Sequence, residues 1–141
     1  MVGGSRSGKN CNTGHQVKTI QTEQQNLSRY EVAIAASADF PLDAILTELR
    51  QKLEVLYGAH LRHVVLFGSR ARGDAAPESD VDVLVVLKDQ ADEHPQEVKD
   101  ICYEVSWKYD AVVTCLQVTE DEFLNWKSPL MLNVHQDGVF I

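Results

Sequence analysis

Two short apolar runs separated by thirteen residues constrain this chain more than any other feature: His63-Val64-Val65-Leu66-Phe67 and Val81-Asp82-Val83-Leu84-Val85-Val86-Leu87. Both are too short for independent helices and rich in β-branched residues, so they read as buried strands bounded by turn signals. The second strand opens on Asp80-Val81-Asp82. Side chains alternate along a strand, so Asp80 and Asp82 share one face, roughly 6.5 to 7 Å apart along the chain. Two carboxylates at the edge of an apolar run are costly unless a cation or donors meet them, and Mg²⁺ sites are built from one or two carboxylates completed by phosphate oxygens. The pair therefore predicts a divalent-metal site.

The connecting segment, GSRARGDAAPESD, supplies the complementary half. Gly68 and Ser69 stand where the first strand ends, a place where backbone N–H groups and a hydroxyl can cradle a phosphate. Arg70 and Arg72 add cationic donors, and Gly73 relaxes the turn. A phosphate held there lies against a metal held by Asp80 and Asp82, which suits in-line phosphoryl or nucleotidyl transfer. The plainer alternative is a turn entering a strand, with Ser79 or Asp80 capping local amides, solvated arginines, and Asp74 and Glu78 as loop solubilisers.

Gly-Ser, ten residues and then Asp-x-Asp resembles the signature of the DNA polymerase β-type nucleotidyltransferase superfamily, and "GSRARG…SDVDVLVV" is most similar to its minimal (MNT) branch. The resemblance implies an α/β (α+β) fold: a small mixed β-sheet packed against helices, like a polymerase β palm. It implies that Gly68 and Ser69, helped by Arg70 and Arg72, bind nucleotide phosphate while Asp80 and Asp82 bind Mg²⁺. Members generally use a third acid on the neighbouring strand, and Asp110 is the residue available for it. Asp110, Asp80 and Asp82 would then hold two Mg²⁺ ions, with ATP as the substrate. Asp110 lies at the start of the third expected strand, and Val112 is next on its face, so a register offset would leave Asp110 capping the preceding helix or starting the strand. The branch implies a helical HEPN-type protein as partner and nucleotidyl acceptor, as in toxin-antitoxin pairs. Two alternatives keep the same fold: a non-catalytic partner-binding antitoxin and a nucleotide-sensing module.

At 141 residues, 44% hydrophobic and 24% charged, the chain suits one globular domain. Residues 39–141 carry nine Lys/Arg against nineteen Asp/Glu, whereas residues 1–38 carry four against two. An acidic body opposes general nucleic-acid binding, which depends on phosphate neutralisation, but tolerates a nucleotide with Mg²⁺. No apolar run suits a membrane span or a signal-peptide core, and Cys11, Cys102 and Cys115 form no metal or disulfide framework, so a reducing cytoplasmic setting is expected.

Residues 1–38 read as an extension, disordered over 1–22 and helical over 23–37, before a nucleotidyltransferase domain at 39–141. Within the extension, Gly3–Asn10 imitates a phosphate loop but has no preceding strand and no Ser or Thr at its end. Leu42, Ile45, Leu46, Leu49, Leu53 and Leu56 predict a helix over Pro41–Tyr57 ended by Gly58. A second helix is expected over Pro95–Tyr109, a third strand over Asp110–Val118, a capping box at Thr119 and Glu122, and a last helix from Ser128-Pro129 to His135 with His135 on its outer side.

Overall fold

The computed structural model describes residues 21–141. Six α-helices and four strands follow one another in it: α1 (Glu23–Ala36), α2 (Leu42–Tyr57), β1 (Leu61–Phe67), α3 (Ser69–Arg72), β2 (Val81–Leu87), α4 (Pro95–Tyr109), β3 (Val113–Thr119), α5 (Glu120–Asn125), α6 (Pro129–Asp137) and β4 (Val139–Phe140). The strands form one mixed sheet in the order β3-β2-β1-β4. β1 runs antiparallel to both β2 and β4, whereas β2 and β3 are parallel, joined by the crossover through α4.

Alternation along the strands divides the core into two layers. Val64 and Leu66 of β1 and Val81, Val83, Val85 and Leu87 of β2 pack with Ile45, Leu46, Leu49 and Leu53 of α2 and Val98, Cys102 and Val105 of α4. The other face places Val65, Leu84, Val86 and Val118 against Phe123 of α5 and Met131 and Val134 of α6. The leucine stripe of α2 is core, and β2, at the centre, is covered on both sides. Across α2 and α4, Glu48 bonds Lys108 at 2.8 Å and the Tyr109 hydroxyl donates to it at 2.9 Å.

The strand and helix pattern expected from sequence is present, with differences at the boundaries. Pro41 caps α2 rather than sitting in its first turn. The third strand starts at Val113, not Asp110, because the end of α4 consumes the intervening residues: Asp110 adopts the left-handed conformation (φ 51°, ψ 51°) and the Ala111 N–H returns to the Ser106 carbonyl. The Ser106 hydroxyl then accepts from Val113 N–H, where the strand begins. His135 turns inward, its ring nitrogen 2.6 Å from the Phe123 carbonyl, because α6 lies on α5. Helix α1, expected in the extension, docks on the domain. Its Asn26 bonds the Phe140 backbone at both N–H and C=O, and Ala33 is fully buried. The expectation for residues 1–20, including the Gly3–Asn10 segment, lies outside the described residues. Among the described residues no helix is long and apolar enough to cross a membrane.

Candidate active site

Antiparallel pairing of β1 with β2 sets Phe67 opposite Asp82, so the residue after β1 must pass over the Asp82 side chain. That residue is Gly68, at φ 79° and ψ −161°, a conformation that favours glycine. A Cβ built on Gly68 would lie 2.7 Å from Asp82 Oδ2. The absence of a side chain is thus a condition for the turn and the carboxylate to share one place. Ser69 follows as the first residue of α3, and the single helical turn closes through Ala71 and Arg72 N–H groups donating to the Gly68 carbonyl. Its first amides have no partner within the turn and are available to an anion.

Asp80 precedes β2 and is exposed; Asp82, two residues on and on the same face, is half-buried. The parallel register places Thr114 of β3 beside Asp82, and the Thr114 hydroxyl donates to Asp82 Oδ1 at 2.8 Å. One oxygen of Asp82 is therefore held by Thr114 while the other faces the glycine turn. Thr114 was not expected from sequence. Pairing the Asp-Val-Asp strand in parallel with the run after Asp110, and carrying the face of Val112 two residues further, would have reached it.

Asp110 is not brought to this pair. It is an exposed cap of α4, three residues before β3 begins, and the position on β3 that neighbours Asp82 belongs to Thr114. Among the described residues no three His, Cys, Asp or Glu side chains gather where a metal ion could be held. The two arginines also separate. Arg70 is buried, with 3% of its surface exposed; its guanidinium stacks 3.7 Å from the Phe40 ring centroid and donates to the Pro77 and Ser79 carbonyls at 3.0 to 3.3 Å. It fastens the loop leading into Asp80. Arg72 remains exposed, 3.2 Å from Asp74 and 3.9 Å from Asp137.

The groups seen to meet at Asp82 are the Gly68 turn, on Oδ2, and the Thr114 hydroxyl, on Oδ1; Ser69 follows that turn in sequence and Asp80 precedes the strand. Asp80 and Asp82 would supply two carboxylates to one Mg²⁺, a donor set such an ion takes together with phosphate oxygens. The steric cradle at Gly68 leaves Asp82 Oδ2 in front of the turn rather than under a side chain.

The chain is thus an α+β domain with a four-stranded mixed sheet, an Asp-x-Asp pair at the entrance to an inner strand and a glycine turn passing over the second carboxylate. Residues 42–129 match the nucleotidyltransferase domain model, and the chain belongs to that family. Relatives include proteins of Methanocaldococcus jannaschii named as candidate protein adenylyltransferases. One is 33% identical over 96 residues, spanning 66% of this chain and 90% of that protein. A second is 37% identical over 71 residues, 50% of this chain and 72% of its own length. Among solved structures, a toxin-antitoxin with AMP-PNP is similar at TM-score 0.49 and 20% identity over 65% of this chain and 68% of that one. A candidate nucleotidyltransferase of Sulfolobus solfataricus is similar at TM-score 0.44 and 24% identity over 77% of this chain and 85% of that one. Both scores are below 0.5, so the family assignment rests on sequence.

Proposed function

We propose that this chain transfers the nucleotidyl group of ATP, bound with Mg²⁺, to a hydroxyl of a partner protein of the helical HEPN type. The observation that supports the reading is the Gly68–Asp82 approach, in which the Gly68-Ser69 turn passes directly over the Asp82 carboxylate. The relatives' names support protein as the acceptor class, and the resemblance of the motif to the minimal branch supports the HEPN-type partner. Asp80 and Asp82 would hold the ion, which when bound neutralises triphosphate charge and favours departure of pyrophosphate. The chain's own residues do the rest. Gly68 and Ser69 orient the triphosphate through backbone amides and the Ser69 hydroxyl, Thr114 fixes the Asp82 carboxylate, and Arg70 holds the loop that delivers Asp80. The α-phosphorus is then presented to the acceptor with the leaving pyrophosphate on its far side.

A second reading is favoured by Thr114. Its hydroxyl stands beside Asp82 where a carboxylate would serve as the third acid, and among the described residues no third acid gathers there. In that case the chain binds nucleotide and partner without turnover. Mixing the chain with its HEPN-type partner, ATP and Mg²⁺, and weighing both chains intact, separates the two. A gain of one or more AMP units on the partner, abolished by Asp82→Asn, is expected. Saturable Mg²⁺-dependent ATP binding with no added mass on either chain would instead establish the binding-only reading.

A further inference from the structure

We infer that Cys102 and Cys115 form a dithiol site that hydrogen peroxide closes into an intramolecular disulfide. Cys102 lies on the inner face of α4 among Val98 and Val105, and Cys115 lies on β3 with its side chain turned toward that helix. Their sulfurs are 2.9 Å apart, and both thiols are free. Helix and strand already pack against each other, so joining the sulfurs does not require either element to move far. Because β3 is at the edge of the sheet, Cys115 is only half-buried, which gives a small oxidant a way in; Cys102 keeps 8% of its surface exposed. The facing Cys102 sulfur, and then burial, push the Cys115 thiol up, whereas the same contact lowers Cys102, making Cys102 the first nucleophile.

The chemistry balances with hydrogen peroxide as sole oxidant. The Cys102 thiolate attacks the peroxide oxygen, the O–O bond breaks, and a proton from solvent leaves with the departing oxygen as water, giving a sulfenic acid. The Cys115 sulfur then attacks the Cys102 sulfur, the S–S bond forms, and the sulfenic hydroxyl leaves with the Cys115 proton as a second water. Two thiols lose two electrons and two protons, and one peroxide becomes two waters. The resulting bond ties the edge strand to α4 one residue from Thr114, whose hydroxyl holds Asp82. This inference depends on the packing of α4 on β3 and not on nucleotidyl transfer.

The test uses the full chain carrying Cys11→Ser, so that only this pair remains, treated with equimolar hydrogen peroxide. Expected are a mass loss of two hydrogens, a peptide linking Cys102 to Cys115, loss of both alkylatable thiols, and a thermal midpoint raised by several degrees, all reversed by dithiothreitol. With Cys115→Ser added, Cys102 should instead gain one oxygen, trapped by dimedone. Oxygen added separately to both cysteines, disulfide-linked dimers, or thiols left intact under peroxide that oxidises free cysteine would each overturn the inference.

Discussion

At the scale of single residues the site turns on atoms that are absent or neutral as much as on charges. Gly68→Ala places a methyl against Asp82 Oδ2 and strains a backbone at φ 79°, so Mg²⁺-dependent ATP binding should weaken by about tenfold or more, read by calorimetry. Thr114→Val removes the donor to Asp82 Oδ1 while keeping the shape of the side chain, and should weaken ATP binding severalfold with little change in melting temperature. Unchanged affinity in both variants would exclude this arrangement as the nucleotide site. The approach of the Gly68 turn to Asp82 was legible in the sequence because the relation is local: one turn between two neighbouring strands fixes it. Thr114 was not, because a hydroxyl carries no titratable signature and its place depends on the register between two strands thirty residues apart. Asp110 looked suitable as a charge near the right strand, but helix geometry at Ser106 to Ala111 claims it first.

Elements show the same division between pattern and context. The leucine spacing of α2 and the valine-rich runs of β1 and β2 identify themselves, since burial of one face is what their periodicity encodes. What a loop does with an arginine is not encoded that way. Arg70 resembles a phosphate ligand in sequence, yet Phe40 and two loop carbonyls enclose it. Arg70→Met should therefore destabilise the domain by about 1 to 3 kcal/mol, measured by urea unfolding, because it leaves the Pro77 and Ser79 carbonyls without their charged donor. It should also loosen the segment before Asp80 and raise the apparent Kd for ATP. A variant with wild-type stability and selectively lost binding would point to direct phosphate contact instead.

For the molecule as a whole, one titratable ring is packed into the second core layer: His63 lies against Phe123 and Phe140, which also pack on each other. Burial, and then the nearby Arg62, lower the His63 pKa from 6.5 to about 4. The unfolded chain thus takes up this proton first, so the contribution to stability is complete above about pH 6.5 and is lost as pH falls toward 4. The loss is on the order of 3 kcal/mol at most by the linkage relation. Melting temperature should drop across that window, and His63→Phe should flatten the slope; an unchanged slope would assign the acid sensitivity to other groups. The order of the strands has a different consequence. β2 is hydrogen-bonded on both edges and covered on both faces, whereas among the described residues β3 is an edge strand and β4 is two residues long. Amide hydrogens of Val83 to Leu87 should accordingly exchange with deuterium only through global opening, and those of β3 through smaller, more frequent ones. Asp82 sits at the start of the slow strand and Thr114 on the fast one, so the hydrogen bond between them spans two regions that open at different rates.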